Sequence, residues 1–354
     1  MMTTRCIFFI NSLPFYPAKL KRANFSLASA DTEGVELNPT MERSVKNFSL
    51  QIAPEISEAL AKQQGVVALE STLISHGLPW PTNLETALAS EEAVRKSTSV
   101  PATIAVLKGR LTVGLNRSEI EALAKSKDIA KVSVRDLPIM IARHADGATT
   151  VASTLTIAHR AGIRVMATGG TGGVHRGAFS GSKPTLDVSA DLPVLERTPA
   201  ILVCSGAKSI LDLRATREWL ETHGITVLGY RTDEFPGFYT IHTGLRVDAR
   251  VNSVEEIAEI ARARWGLGLE GAILVGNPPP ADLALSPELI ETHLEEATAQ
   301  MEREGMQGKD VTPFLLSRLQ QATEGKATQL NSALIVSNAA LAGEIAAALA
   351  RHAE

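Results

Sequence analysis

The sequence predicts an α/β protein whose mainly parallel sheet is covered by helices. From residue 55 onward, short apolar runs alternate with helical patterns. The runs are continuously apolar instead of alternating with polar residues, which is typical of parallel strands buried on both faces. Most runs end in a polar or glycine-containing turn, and the apolar residues that follow recur three and four positions apart, as in helices packed on a sheet.

Seven apolar runs are the predicted strands: Val66–Leu69, Thr103–Leu107, Ala130–Val134, Ile163–Ala167, Ala200–Cys204, Ile225–Gly229 and Ala272–Val275. The intervening helical spacing is clearest at Leu84-Ala87-Leu88 and at Val151-Leu155-Ala158. Beyond Ser286 the pattern predicts helices only. These are a Glu-rich helix ending near Glu304, a helix that begins at Thr312 with a proline in its first turn, and an Ala-rich helix after Asn338.

Length and composition predict one large α/β domain, residues 46–354, preceded by a leader, residues 1–45. The chain has 354 residues, 44% of them hydrophobic, and it shows no internal repeat or low-complexity linker. Residues 1–30 contain basic residues, several Ser and Thr, and no acid, which is the composition of an organelle presequence. Two alternatives stay open: a disordered or spurious leader with Met41 as the real start, and a structured arm.

Net charge and cysteine content indicate which binding partners and which cellular compartment to expect for this protein. The net charge of -4 gives no basic field for a nucleic acid, although a small anion can still be held locally. Cys6 and Cys204, the two cysteines, stand in very different contexts, which favours a reducing compartment and a core role for Cys204. No stretch approaches the roughly 18 uninterrupted apolar residues of a membrane span. We therefore expect a cytoplasmic protein, with organelle import through residues 1–40 as the alternative.

Polar residues at the ends of several predicted strands are the main indication of a site. Glu70, Lys131, Thr168 and Lys208 each lie at or just beyond such a run. Ligands of open α/β sheets bind at the carboxyl ends of the strands, where loops and helix N-termini meet. The sequence therefore predicts a small-molecule site at this edge.

The segment TGGTGGVHRG, residues 168–177, is a candidate anion-binding loop. Five of its ten residues are glycines, so its backbone N–H groups can approach a phosphate closely. It lacks the spacing of a P-loop or of a dinucleotide-binding motif, and a flexible surface loop is the alternative.

A second candidate segment is GATTVAST, residues 147–154. It places the hydroxyls of Thr149, Thr150 and Ser153 at a predicted helix N-terminus, and ordinary helix capping is the alternative.

Two kinds of charged residue carry possible chemistry. A carboxyl such as Glu70, at the end of a buried strand, has a raised pKa and can donate a proton near neutrality, although a paired or capping role is also open. Asp187 and Asp191, with Ser189 between them, suit one hard cation held largely through water, or contacts to a sugar.

Lys208 follows a buried strand and precedes a helical pattern. We expect burial and the helix N-terminus to lower its pKa, and a neutral amine attacks carbonyl carbon. A surface lysine is the alternative.

With these residues aligned, the chain resembles the pseudouridine-5'-phosphate glycosidases, also called pseudouridylate synthases for the reverse reaction. The matching segments run in order from about residue 50 to the C-terminus: VVALESTLISHGLPWPTN, VPATIAVLKGRLTVGL, KVSVRDLP, GATTVASTLTIAHRAGI, ATGGTGGVHRGA, DVSADL, CSGAKSILDL, YRTDEFPGFYT and KDVTPFLLSRL. Strings as long as GATTVAST and CSGAKSILDL are far more specific than any short motif.

The resemblance implies cleavage of the C–C glycosidic bond of pseudouridine 5'-phosphate to uracil and ribose 5-phosphate. Glycosidases that expel a heteroatom use two carboxylates, but here the departing atom is carbon C5 of uracil. In the family mechanism the ribose ring opens and a lysine becomes bonded to C1' as an imine-type adduct. Uracil departs after protonation, and hydrolysis releases the sugar phosphate.

The resemblance also assigns residues. Lys208 matches the nucleophile, Glu70 the proton donor, and Asp187 the carboxylate that binds a divalent metal, usually manganese. The matching substrate-binding positions are Lys131, Val151, Ser189, Ala190 and Asp191, and the further pocket residues are Thr168, His175 and Asn331. The connection 179–186, FSGSKPTL, is longer than is usual in the family, so whether His175 still approaches Asp187 is a question for the structure.

The family further implies an α/β/α subunit core and a homotrimer. Two other functions stay open at this point: a sugar-phosphate lyase or aldolase that uses Lys208 as its Schiff-base lysine, and a noncatalytic ligand-binding protein of the same fold. Release of uracil separates the first from a glycosidase. The presence of Lys208, Glu70 and Asp187 together weakens the second.

Overall fold

The computed structural model describes residues 50–179, 184–304, 311–323 and 325–351. Within them the chain is an α/β protein, as the sequence predicts, and residues 49–354 form one compact unit. The predicted leader, residues 1–45, lies outside the described residues. The division into leader and domain therefore stays a prediction.

The strands are β1 (Leu50–Ile52), β2 (Val66–Glu70), β3 (Val100–Leu107), β4 (Arg110–Val113), β5 (Ala130–Val132), β6 (Gly147–Thr149), β7 (Val165–Ala167), β8 (Val174–His175), β9 (Ile201–Cys204), β10 (Leu211–Asp212), β11 (Thr226–Tyr230), β12 (Ala249–Val251) and β13 (Ile273–Gly276). The main sheet has the order β1-β4-β3-β2-β7-β9-β13-β11-β12, and β6 pairs with both β3 and β5 beside this path. From β2 to β12 every neighbouring pair is parallel. β8 and β10 form a separate antiparallel ribbon.

The helices are α1 (Pro54–Ala61), α2 (Thr82–Lys96), α3 (Arg117–Lys125), α4 (Leu137–Ala142), α5 (Val151–Arg160), α6 (Asp191–Glu196), α7 (Leu213–Thr222), α8 (Val254–Gly266), α9 (Pro287–Glu304), α10 (Val311–Ala322) and α11 (Lys326–Ala350). Single turns of π-helix and 3₁₀-helix cover Leu73–Gly77 and Val134–Asp136.

Helices cover both faces of the sheet. Val67 and Leu69 pack in one apolar cluster with α2, α8 and α11. Ala68, between them, packs in the opposite cluster with α5 and α6. Because side chains alternate along a strand, a strand buried on both faces must be apolar at every position, and this is the continuous pattern seen in the sequence. The layered architecture is confirmed.

The antiparallel hairpin formed by β3 and β4 is present in the structure but is not among the elements predicted from the sequence. β3 and β4 are joined by Lys108 and Gly109, which have φ values of 51° and 71°. A two-residue hairpin turn with positive φ at both positions favours glycine, and Lys-Gly between two apolar runs is a signal that can identify it. The short strands β1, β6, β8, β10 and β12 were also not predicted, since segments this short carry little periodicity.

Several predicted boundaries differ from the structure, and three of them bear on the site. The run Ala130–Val134 ends as a strand at Val132, because Ser133 and Asp136 form a reciprocal cap that starts the 3₁₀ turn. The Ala-rich helix begins at Lys326 and not after Asn338, so polar residues such as Asn331 lie inside it. The helix after Lys208 begins only at Leu213, behind a turn and β10.

The helix α11 is long and apolar enough to cross a membrane by length and composition alone. It packs instead against α2, α8 and the strands β2, β7 and β9. Leu334, Asn338 and Ala342, at i, i+4 and i+8, are fully buried along its inner side. We conclude that it is a core helix.

Candidate functional site

The order of the sheet brings three of the predicted site residues together. Glu70 is the last residue of β2, Thr168 directly follows β7, and Lys208 follows β9 through three small residues. Since β2, β7 and β9 are adjacent and parallel, their carboxyl ends open at the same edge. The polar residues that end or follow separate strands in the sequence therefore lie at the same edge of the sheet.

Glu70 is a buried carboxyl with a hydroxyl donor. Its residue is 7% exposed, and Thr168 Oγ1 donates to Glu70 Oε1 at 2.5 Å. Burial raises the pKa of Glu70, while the Lys208 ammonium is the largest opposing influence, followed by the Thr168 hydrogen bond. The predicted raised pKa agrees with this environment, and a carboxyl held in this way can carry a proton near neutrality.

Lys208 stands half-buried on a tightly fixed loop. Its backbone N–H donates to Thr171 O at 3.1 Å, and Thr171 N–H donates to Gly206 O at 3.0 Å, so the loops after β7 and β9 are tied together. Because α7 begins only at Leu213, Lys208 is not in the first turn of a helix. The predicted influence of a helix N-terminus on Lys208 is therefore wrong.

Glycine is required in the Lys208 loop at Gly206. This residue has φ +82°, and a Cβ placed on it would lie 1.7 Å from the carbonyl oxygen of Pro236. At Gly170, in the facing loop, a Cβ would lie 2.4 Å from the Phe238 ring. The glycines therefore allow three loops to pack closely behind the lysine.

Lys131 lies within electrostatic range of this pair. Burial lowers the pKa of Lys131, the Lys208 ammonium lowers it further, and Glu70 and Asp191 act to raise it. The residue as a whole remains exposed to solvent. Lys131 thus lies within electrostatic range of Lys208, Glu70 and Asp191.

Both carboxylate oxygens of Asp191 accept hydrogen bonds from backbone N–H groups. Its Oδ1 accepts from Ala152 N–H at 2.9 Å and its Oδ2 from Gly172 N–H at 2.8 Å. The carboxylate joins the start of α5 to the glycine-rich loop, and Ser189 packs against Gly172, whose Cα leaves room for no side chain. Of the predicted segment Ser189 to Asp191, Ala190 is exposed, and Asp191 positions the loop with both of its oxygens.

The hydroxyls of the GATTVAST segment face inward. Thr149 Oγ1 donates to Ile104 O at 2.7 Å and Ser153 Oγ to Val132 O at 2.6 Å. Thr150 precedes α5 without a side-chain cap. Val151 is buried at the first turn, so its side chain is not available to a ligand and only its backbone N–H is.

His175 remains beside Asp187 despite the longer connection between them. His175 Nδ1 lies 3.9 Å from Asp187 Oδ2, and His175 N–H donates to Asp187 O at 3.0 Å. Burial lowers the pKa of His175, Asp187 raises it, and Lys208 and Lys131 lower it. The longer connection 179–186 therefore does not separate His175 from Asp187. Residues 180–183 of this connection lie outside the described residues.

The donor set suits only a weakly held metal. Across the ranges that the structure describes, no three His, Cys, Asp or Glu side chains lie close enough to share an ion. Asp187 is a half-exposed carboxylate, with 42% of its side chain accessible. A hard divalent cation that keeps most of its waters needs one or two carboxylates and a substrate phosphate, and Asp187 fits that mode.

Asn338 is a site residue that the sequence did not indicate. It is fully buried in α11, where Nδ2 donates to Thr168 O at 2.8 Å and Oδ1 accepts from Asn277 Nδ2 at 2.9 Å. Asn331, two turns earlier on the same side of the helix, lies beside Gly169, and its pocket role stays a prediction. An amide within the apolar second half of this helix was the available signal, because a buried amide needs partners.

Cys204 takes no part in this chemistry. Its side chain is buried at the end of β9, and burial raises the pKa of the thiol to about 12. A thiol that stays protonated is not a nucleophile. The predicted core role is confirmed.

Fold and site together define an α/β protein with a lysine and a buried acid at the carboxyl edge of its parallel sheet. The family model for indigoidine synthase A like protein matches residues 55–348. The chain belongs to this family.

Curated relatives carry the name that the sequence segments predicted. The chain is 54% identical over 302 residues to the pseudouridine-5'-phosphate glycosidase of Symbiobacterium thermophilum, covering 85% of this chain and 98% of the relative. It is 50% identical over 302 residues to that of Hahella chejuensis, with 85% and 98% coverage. The resemblance stated from the sequence is confirmed.

Two crystal structures share the fold. One is the prealnumycin C-glycosynthase AlnA in complex with ribulose 5-phosphate, at a TM-score of 0.79 and 41% identity over 86% of this chain and 97% of that one. The other is an indigoidine synthase A-like protein from Thermotoga maritima, at a TM-score of 0.78 and 39% identity, with 86% and 97% coverage.

Proposed function

We propose that this protein is the enzyme that hydrolyses, reversibly, the C–C glycosidic bond of pseudouridine 5'-phosphate to uracil and ribose 5-phosphate. The observation that carries the proposal is the meeting of Lys208 with buried Glu70 at the edge of the sheet, in a chain about half identical to proteins named for this reaction. AlnA, with a sugar phosphate bound, has a similar fold and acts as a C-glycosynthase.

Lys208 supplies the nucleophile in this proposal. When the ribose ring opens, the C1'–O4' bond breaks, Lys208 Nζ bonds to C1', and the proton that the amine gives up ends on O4'. The C1'–C5 bond then breaks, C5 of uracil takes a proton, and C1' becomes an imine of the lysine. Water adds to the imine, releases ribose 5-phosphate and restores the amine.

Glu70 supplies protons. Its buried position and raised pKa favour the protonated acid, and Thr168 holds the carboxyl in one orientation. The carboxyl lies in the electrostatic field of the Lys208 nitrogen, so when Glu70 gives up its proton the positive charge of the protonated imine stabilises the carboxylate.

The remaining predicted residues surround the sugar phosphate. Lys131 contributes a charge, Val151 a backbone N–H at the start of α5, and Ser189 and Ala190 the segment that faces the glycine-rich loop. Asp191, Thr168 and Asn331 hold the loops that form the pocket, and His175 adds an imidazole at its side.

Asp187 is the residue that would hold manganese, together with water and the substrate phosphate. A divalent cation there would offset negative charge on the substrate. Assembly as a homotrimer is proposed from the resemblance alone. We place the enzyme in the cytoplasm, since its curated relatives are bacterial and give no support to organelle import through residues 1–40.

Incubation with pseudouridine 5'-phosphate tests the function. We expect free uracil and ribose 5-phosphate in equal amounts. A lyase or aldolase that uses the same lysine would release no uracil, and a ligand-binding protein would release neither. Borohydride reduction in the presence of ribose 5-phosphate, followed by peptide mass mapping, identifies the lysine that forms the adduct; a label on any residue other than Lys208 contradicts the mechanism.

A further inference from the structure

The amide of Asn338 lies where the ends of three adjacent strands meet the core helix α11. The strands are β7, β9 and β13, which are neighbours in the sheet, and Asn338 is fully buried against them. Thr168 follows β7, Ser205 follows β9 and Asn277 follows β13. A polar side chain at this depth requires hydrogen-bond partners, and Asn338 has one on each of these three segments.

The hydrogen bonds of Asn338 join the two loops that carry the predicted chemistry. Nδ2 donates to Thr168 O at 2.8 Å and to Ser205 Oγ at 3.2 Å, and Oδ1 accepts from Asn277 Nδ2 at 2.9 Å. Because a backbone carbonyl can only accept, the Asn338 atom that faces Thr168 O must be the nitrogen. The amide therefore donates toward the loops after β7 and β9.

The bond to Thr168 O bears on Glu70 through one residue. Thr168 N–H donates to Val203 O at 3.0 Å, so the peptide groups on both sides of the Thr168 Cα are held. The hydroxyl of the same residue donates to Glu70 Oε1 at 2.5 Å. Since a hydrogen bond weakens steeply as its geometry departs from linear, the strength of the Thr168–Glu70 bond depends on where the Thr168 backbone is fixed.

We propose that Asn338 is a positioning residue for the reaction, which fixes the Thr168 backbone and, through the Thr168 hydroxyl, the orientation of the Glu70 carboxyl. This inference rests on the proposed function. Without the amide, Thr168 O would be a buried acceptor that has lost its donor, and the loop would have to move to find another. The Thr168 hydroxyl would move with it.

The pH dependence of Glu70 separates positioning from a purely structural role. Burial raises the pKa of Glu70, and Lys208 and the Thr168 hydrogen bond lower it. The charged groups within range of the carboxyl are Lys208, Asp191 and Lys131. Loss of the Thr168 bond removes one influence that stabilises the carboxylate, so the pKa of Glu70 should rise further. The alkaline decline in rate, which follows protonated Glu70, should then move to higher pH.

The test compares Asn338→Ala, and Asn338→Ser as a second variant, with the unaltered chain. Asn277→Ala is the matched control: its amide bonds to Ser337 and Asn338, so the change removes a buried amide of the same network and leaves the donor of Thr168 O in place. For both Asn338 variants we expect kcat to fall on the order of tenfold, with KM within about twofold and the alkaline decline at higher pH. Asn277→Ala should lose stability without moving the decline.

A double variant tests whether Asn338 acts through Thr168. In Thr168→Val, which lacks the hydroxyl, Asn338→Ala should no longer move the pKa of Glu70. This pKa is obtained without turnover, from urea unfolding between pH 4 and pH 9 of each protein and its Glu70→Gln counterpart. If the unaltered chain released no uracil, the proposed function would fail, while the unfolding comparison would still decide the role of Asn338.

Four outcomes overturn the inference. The pKa of Glu70 stays in place in a folded Asn338 variant, or it moves equally in Asn277→Ala, or the movement persists in the Thr168→Val background. Failure of both Asn338 variants to fold also overturns it, because the amide would then be required for the fold itself.

Discussion

Lys208 and Glu70 are chemically ordinary residues whose surroundings give them their roles. One is a half-buried amine on a loop fixed by Thr171, and the other a buried carboxyl with Thr168 as its donor. Each lies in the electrostatic field of the other. At the scale of the residue, therefore, predictions concern loss of a chemical group without loss of packing.

Replacing Lys208 by Ala should abolish turnover and leave the fold intact. The side chain supplies a covalent bond to C1' and is only half-buried, so little packing is lost. We expect kcat to fall roughly a thousandfold or more. Uracil release and thermal melting measure the two effects, and Lys208→Arg is the control that keeps the charge without the nucleophile. Substantial turnover by either variant would contradict the mechanism.

Replacing Glu70 by Gln should remove the acid and change the pH dependence of both activity and stability. Because the pKa of Glu70 is raised in the folded protein, its protonated form is favoured by folding. The stability linked to Glu70 is fully present below the ordinary glutamate pKa and is lost as pH rises through the raised value. The rate that depends on protonated Glu70 falls over the same rise.

Urea unfolding and kcat/KM measured from pH 4 to pH 9 check this prediction. The unaltered chain should lose stability relative to Glu70→Gln as pH increases, and the variant should lack the corresponding alkaline decline in its residual rate. Parallel stability curves for the two proteins would show that Glu70 titrates normally and is not the buried acid described above.

At the scale of elements, the loops after β7 and β9 depend on close approach. Gly206 has φ +82° and faces the Pro236 carbonyl, and the Phe238 ring covers Gly170. The amide of Asn338 joins α11 to the Thr168 loop from behind. Thr168 and Lys208 thus stand on loops that a helix and a neighbouring loop support from behind.

Gly206→Ala should lower both stability and kcat, because the new Cβ would overlap the Pro236 carbonyl and the positive φ would strain any side chain. The loss in the free energy of unfolding should exceed about 1 kcal/mol. Gly224→Ala is the matched control, since Gly224 also has a positive φ, +64°, but no atom within 4 Å of its added Cβ. Urea unfolding separates strain from overlap, and equal costs for the two variants would show that the close approach is unimportant.

At the scale of the whole molecule, residues 49–354 form one compact unit, and the family match covers 55–348. The relative from Symbiobacterium thermophilum is spanned almost fully, 98% of its length, by 302 residues of this chain. The activity should therefore belong to the predicted domain alone.

A variant that begins at residue 46 should match the full chain in melting temperature and in kcat/KM for pseudouridine 5'-phosphate. Its apolar core is contributed by the elements from α1 to α11, all of which it keeps. Parallel measurements on the two proteins decide the matter. Loss of cooperative melting in the shorter variant would place residues 1–45 inside the folded unit and overturn the predicted boundary.

The α/β class, the central strands and the set of candidate residues could be predicted from the amino-acid sequence alone. This was possible because double burial leaves a continuous apolar run and because glycine, lysine and glutamate at strand ends are visible without coordinates. The sequence did not predict short elements such as β4 and β6 or the early start of α11 at Lys326. These features gain their stability from tertiary pairing and packing, which leave little pattern in the sequence.

Only the tertiary structure decided which of these residues act together. Sequence separation carries no information on whether Glu70 and Lys208 meet; the adjacency of β2, β7 and β9 does. Likewise Asp191, a carboxylate like Asp187 in the sequence, is taken by two backbone N–H groups, while Asp187 stays open to solvent. Hydrogen bonding and burial are properties of neighbours in space, and they separate residues that composition and spacing leave alike.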